Sequence, residues 1–173
     1  MIGRRPGALL AAAVALVGGC RLTMFDVVTS ERLVRVPEVS GREFTVETGA
    51  IDLPASLGAD KIVDSATLNL TAANLNAVNP VTVSIAVADS RQPNAFGPVT
   101  TFSLAAGEMR DLAIVQREAG DALVRAVQSE AINVRFESHS PEDGIGEIEF
   151  RFTVRVRAHK DTPGTGPGTL LFY

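Results

Sequence analysis

One cysteine, two histidines and twenty aspartates and glutamates are the main reactive groups of this 173-residue chain. Nucleophilic hydrolysis needs a Ser or Cys beside a base that a third group orients. No Gly-x-Ser-x-Gly turn occurs, and the two bases, His139 and His159, fall near expected strand ends, where exposure is the ordinary state. Metal chemistry has one weak foothold. Glu142, Asp143 and Glu147 crowd a turn over 138–146 together with His139, and carboxylate oxygens on a loop suit calcium. Calcium takes roughly six to eight oxygens, however, and acidic turns are common for solubility alone, so no metal is expected. A second loop over 89–97, with Asp89, Asn94 and Gly97, consists of residues that turns favour in any case. The chain has neither Gly-x-Gly-x-x-Gly nor Gly-Lys-Ser/Thr, the phosphate cradles. With no tryptophan and one tyrosine, Tyr173, it also lacks the flat platforms on which sugars stack. The expectation is a protein that is not an enzyme and holds no cofactor.

Carboxylates also recur along one strand. Glu147 and Glu149 stand at i and i+2, roughly 7 Å apart, but Arg151, Arg155 and Arg157 continue the same face. A solvated charge ladder accounts for that pattern better than an acid–base pair. The formal net charge of −4 argues against nucleic acid as a partner, because phosphate binding needs a basic footprint.

The cysteine has a more specific context. Arg4 and Arg5 are followed by an uncharged run from Ala8 to Val17, then by Gly18, Gly19 and Cys20. Positive start, apolar centre and small residues make the three-part layout of a secretory signal peptide. The apolar run is about half the roughly 20 residues that a spanning helix needs. Val17-Gly18-Gly19-Cys20 resembles the lipobox of bacterial lipoproteins, with Val17 in place of the usual Leu and Gly18 in place of Ala or Ser. That resemblance covers residues 1–20 only. It implies that the Cys20 thiol is joined to diacylglycerol, that residues 1–19 are removed and that the new amino group is acylated. One acyl chain holds a membrane marginally, whereas two or more hold it stably. Arg21 stands where an Asp would signal retention in the inner membrane of a Gram-negative cell, so the outer membrane facing the periplasm is implied, with surface exposure as the other outcome. Loss of Arg4 and Arg5 takes the formal charge from −4 to −6, so the mature body stands off an anionic membrane surface.

The elements that carry these groups read as strands. From Glu147 to Arg157 every even position is Ile, Phe or Val and every odd one is charged or Thr. Side chains alternate across a strand, so this segment has one dry face and one wet face. Shorter runs over 33–36, 44–46, 66–71, 81–87, 99–104 and 132–137 share the period, and the turn at 138–146 predicts a hairpin between the last two strands. Over 111–129 the apolar spacing is nearer to helical. A short helix is expected near 120–128, with Asp121 helping its N-terminal dipole, and 109–115 fits either helix or strand.

About seven to eight strands and one short helix predict a mainly β fold, an antiparallel two-layer β-sandwich, Ig-like or jelly-roll-like. The expected organisation is a signal peptide over 1–19, an acylated Cys20 with a short tether over 20–30, the sandwich over 31–160 and a Pro/Gly-rich flexible tail over 161–173. That tail ends in Leu170-Leu171-Phe172-Tyr173. The functional expectation is a lipid-anchored envelope protein that binds or scaffolds another envelope protein. The alternative is a lipid-, glycan- or ion-binding module using the loops near 89–97 and 138–146; an unrecognised hydrolase is a third class.

Overall fold

A computed structural model describes residues 21–54, 57, 60–129 and 131–162. Nine strands and one helix follow in the order β1 (Arg21–Val28), β2 (Arg32–Val36), β3 (Glu43–Asp52), β4 (Ile62–Asn74), β5 (Val81–Asp89), β6 (Gly97–Leu104), β7 (Met109–Gln116), α1 (Ala122–Ala126), β8 (Ala131–His139) and β9 (Ile148–Thr162). One sheet has the order β1-β9-β4-β7, with β2 also on β9, and the other has the order β3-β8-β5-β6. Every pairing is antiparallel.

The first and second strands form one broken edge. Both pair with β9, β1 along residues 155–162 and β2 along 148–152. Thr29 bridges the break: its amide donates to the Val154 carbonyl, and its hydroxyl accepts from the Val154 amide at 3.0 Å. Counting β1 and β2 as one line leaves eight. These pair as a nested hairpin, β1/β2 with β9, β3 with β8, β4 with β7 and β5 with β6. Rolling that hairpin adds the β4–β9 and β5–β8 contacts and produces a jelly roll, so the topology decides between the two sandwich types.

Alternation explains which residues enter the core. On β9 Ile148, Phe150, Phe152, Val154, Val156 and Ala158 are buried, and on β5 Val81, Val83, Ile85 and Val87 are buried. On β4 a bulge between Val63 and Ser65 resets the phase, so that Val63 and then Ala66, Leu68, Leu70 and Ala72 all face inward.

Three expectations are corrected here. The 132–137 and 147–157 segments do not form a hairpin: β8 lies in one sheet and β9 in the other, and 138–146 crosses between them. Each strand has one dry face, and stacking those faces buries both. Phe136 stacks on Phe150 with ring centroids 4.4 Å apart and meets Phe152 at 5.5 Å. Residues 21–28 are not a tether but β1, hydrogen-bonded to β9 from the register pair Arg21 and Thr162 onward. Residues 161 and 162, placed in the tail, complete β9, while residues 1–20 and 163–173 lie outside the described residues. The ambiguous 109–115 segment is β7. Its inner residues Arg110, Leu112, Ile114 and Gln116 are half-buried, and apolar Met109, Ala113 and Val115 on the outer face hide the alternation.

The helix falls inside the expected range, but its start is held differently. The Asp121 carboxylate accepts from the amides of Arg117 and Glu118 rather than from the helix, and Gln116 Oε1 accepts from the Leu123 amide at 2.7 Å. An N-terminal donor is thus satisfied by the last residue of β7. Replacing Phe136 with Ala removes both ring contacts at the sheet interface, with an expected loss of about 3–5 kcal/mol. Urea denaturation measures it, and a loss below about 1 kcal/mol contradicts this packing.

Candidate functional site

The strand directions divide the surface into two outer sheet faces and two ends, and they separate the two candidate loops. Thr82, near the start of β5, pairs with His139, whereas Asp89 at its end pairs with Ile132. The 138–146 crossover therefore lies at one end of the sandwich and the 89–97 loop at the other, about 25 Å apart along β5. They build no common site.

At the crossover end, His139 ends β8 with Nδ1 3.5 Å from Glu43 Oε1, and both side chains are exposed. Asp143 Oδ1 accepts from Arg42 Nε at 2.8 Å, a bond that raises the Arg42 pKa. Glu142 uses its amide to reach Ser140 Oγ, and Glu147 is exposed. Among the described residues no three His, Cys, Asp or Glu side chains converge in a metal-holding arrangement. Glu142, Asp143 and Glu147 share an end of the molecule, not a coordination sphere.

At the other end, Asp89 Oδ1 accepts from the Arg91 amide at 2.8 Å, an Asx-type turn that shapes the loop. A cleft of about 400 Å³ lies between this loop and α1, lined by Val87, Asp89, Gln92, Gly97, Ala122 and Arg125. A side chain at position 97 would not fit, since its Cβ would stand 2.7 Å from Ala122 Cβ. His159 is also near this end, with Nδ1 2.7 Å from Asp64 Oδ1. No partner links it to His139.

On the charged face of β9 both carboxylates are shared between arginines. Glu149 accepts from Arg151 at 2.7 Å and from Arg35 at 3.1 Å, and Asp26 takes two bonds from Arg155 and a longer one from Arg157. The hydrogen bond from Arg151, with help from Arg35, lowers the Glu149 pKa, and the bond from Arg155 chiefly lowers that of Asp26. Beside this ladder a shallow, open depression of about 440 Å³ includes Asn69, Thr71, Asp111, Arg151 and Thr153. Three of these groups are engaged, since the Thr71 hydroxyl donates to Asp111 at 2.5 Å and Arg151 binds Glu149.

Other arrangements had no signal in one chain read alone. Arg135 binds Glu47 at 2.7 Å and lies under the Phe96 ring at 3.7 Å, joining three segments separated in sequence. Asn74 is buried at the end of β4, where its side-chain amide donates to the carbonyls of Asn79 and Ala105 and its Oδ1 accepts from the Asn76 amide. Only the Asn74-x-Asn76-x-x-Asn79 run hints at such a turn.

No protein-family model and no curated protein matches the chain. Among solved structures it is similar to infectious bursal disease virus Gx strain, at 10% identity and a TM-score of 0.38, over 87% of this chain and 34% of that one. It is also similar to dimeric latent PorU from Porphyromonas gingivalis, at 13% identity and 0.39, over 83% of this chain and 13% of that one. A third likeness is to the empty head of Turnip Yellow Mosaic Virus, at 14% identity and 0.35, over 94% and 95%. At these scores the likenesses fix neither strand equivalence nor role.

The lowered carboxylates set a pH dependence. A carboxylate with a lower pKa in the folded chain stabilises the fold above its unfolded pKa, and that stability is lost as the pH falls through the folded value. Asp26, Asp60, Glu108 and Glu149 all shift this way. The urea midpoint is expected to be level above about pH 5 and to fall below about pH 4. The double variant Asp26→Asn, Glu149→Gln should show a shallower fall; an unchanged slope would remove these pairs from the account.

Proposed function

We propose that the chain is a lipid-anchored protein of a bacterial cell envelope, acylated at Cys20, whose jelly roll binds another envelope protein without catalysing a reaction. The carrying observation is the leader: Arg4 and Arg5, the apolar Ala8–Val17 run, and Val17-Gly18-Gly19 before the chain's single cysteine. In this reading residues 1–19 are removed, and the domain stands on the outer membrane facing the periplasm.

Two features of the fold support a binding role. The first is proximity to the anchor. β1 enters the ladder at Arg21, one residue after Cys20, so an acylated Cys20 holds this end of the sandwich against the bilayer. A domain attached without a flexible spacer presents the same surfaces to its surroundings at all times, which suits assembly with a fixed partner. The second is the state of the polar groups. The histidines are about a sandwich length apart, and the carboxylates beside arginines on the β9 face are engaged in hydrogen bonds.

Metabolic labelling with an alkyne fatty acid tests the anchor. The native chain should take up the label and sediment with membranes, while Cys20→Ser should be unlabelled and leave the membrane fraction. Label retained by Cys20→Ser, or none on the native chain, overturns the lipoprotein reading.

A further inference from the structure

The end of the sandwich opposite Arg21 combines exposed apolar side chains with acids that outnumber its arginines. Four connections meet there, over residues 37–42, 75–80, 105–108 and 140–147. Backbone hydrogen bonds lace them together. The Leu75 amide donates to the Glu147 carbonyl at 2.8 Å, the Gly107 amide to the Asn76 carbonyl at 2.8 Å and the Asn74 amide to the Glu108 carbonyl at 2.9 Å. Asn79 Nδ2 reaches the Gly144 carbonyl at 3.0 Å. The crossover passes so close that a Cβ at Gly146 would stand 2.3 Å from Asn76 Cβ. This end is a braced platform.

On the platform three apolar side chains face solvent, Leu75 at 55% exposure, Val78 at 77% and Met109 at 71%. Six acids share the end, Glu38, Glu43, Glu108, Glu142, Asp143 and Glu147, against two arginines. Both arginines are engaged, Arg42 by Asp143 and Arg110 by Glu108. Glu43 has only His139 beside it, Glu142 shares through space the Arg42 that Asp143 already holds, and Glu38 and Glu147 have no cation within ion-pair distance among the described residues. On the β9 face Glu149 and Asp26 are each held by two arginines; at this end Glu38 and Glu147 are held by none.

We propose that this end is a protein-docking surface in which Leu75, Val78 and Met109 form the apolar centre and Glu38, Glu142 and Glu147 an acidic rim. Its occupant is a protein presenting apolar side chains ringed by Lys or Arg. This rests on the protein-binding reading above and names the surface that performs it. Charge selects the occupant. A second copy docking by this same end would bring one acidic rim against another, and an anionic bilayer would repel the same carboxylates. A basic rim gains attraction on approach, while the apolar centre loses water on contact.

Site-specific photocrosslinking tests it. A photoreactive phenylalanine analogue is placed at Val78 or Met109 of the full chain, or at Gln92 or Thr101 as controls at the opposite end and on the outer face of the second sheet. Cells are irradiated before lysis. The expected result is one protein adduct from Val78 and Met109, absent from both controls, with Lys or Arg flanking the crosslinked partner peptide. In purified form that complex should weaken at least tenfold with the triple variant Glu38→Gln, Glu142→Gln, Glu147→Gln, and again with added salt, while the variant's urea midpoint stays at the native value. An adduct from Gln92 or Thr101 alone overturns the assignment of this end and leaves the protein-binding reading standing. No protein adduct from any position overturns both. Adducts at Val78 to a second copy or to lipid, or a complex indifferent to the triple variant and to salt, overturn the proposed occupant.

Discussion

The fold turns on burying two dry strand faces against each other. Phe136 of β8 and Phe150 and Phe152 of β9 meet across the two sheets, and the buried residues of β4 and β5 complete the same layer. Each fully buried large side chain contributes about 1.5–3 kcal/mol, so a layer of this length outweighs any single hydrogen-bonded turn. Consecutive strands that are apolar on one side can pair edge to edge or stack face to face. Stacking β8 on β9 sends 138–146 across the sandwich, and similar crossings carry the chain from β2 to β3, β3 to β4, β4 to β5 and β6 to β7. Only β5 and β6 remain a simple hairpin. The jelly roll is the outcome of satisfying that stacking strand by strand.

Rolling also decides where polar groups can act. The outer face of the β9 sheet is a ladder in which neighbouring strands bring Arg opposite Glu or Asp: Arg35 is in register with Glu149, and Asp26 with Arg157. Such exposed pairs add little stability, but they leave neither Glu149 nor Asp26 without a cation. The ends are made of connections, and connections have no cross-strand partner to supply the opposite charge. Acids placed there for solubility stay uncompensated unless an arginine is held within reach, as Arg42 is by Asp143. The difference between a face whose carboxylates are paired and an end where some are not is thus a product of the topology.

The two-period pattern made most of the fold legible. All seven runs read as strands are strands, and the helix falls within the expected span. What escaped was long-range. Residues 138–146 are polar and turn-like whether they close a hairpin or cross a sandwich, so nothing local distinguishes the two. β1 escaped because Met24, Asp26 and Val28 on its outer face mix apolar and acidic residues, leaving no clean alternation. The separation of the 89–97 and 138–146 loops follows from strand direction, which the spacing of runs does not encode. Asn74 could not be singled out, since its importance lies in joining the ends of β4, β6 and the 75–80 turn.

The same geometry would link the proposed anchor to the proposed docking surface. Strand β9 runs unbroken from Ile148, at the acidic end, to Thr162, in register with Arg21. A fifteen-residue strand spans about 50 Å, and β4 and β1 are hydrogen-bonded along most of that length. With an acyl chain on Cys20 the sandwich becomes a short strut, with one end fixed at the bilayer and the other held several nanometres away. The charge arrangement suits that posture, since the end with unpaired acids is the one farthest from an anionic headgroup layer. A flexible linker would let the acidic end swing through all orientations and would add an entropic cost to every encounter. With the first strand beginning one residue after Cys20, acylation there would restrict that freedom before any partner arrives.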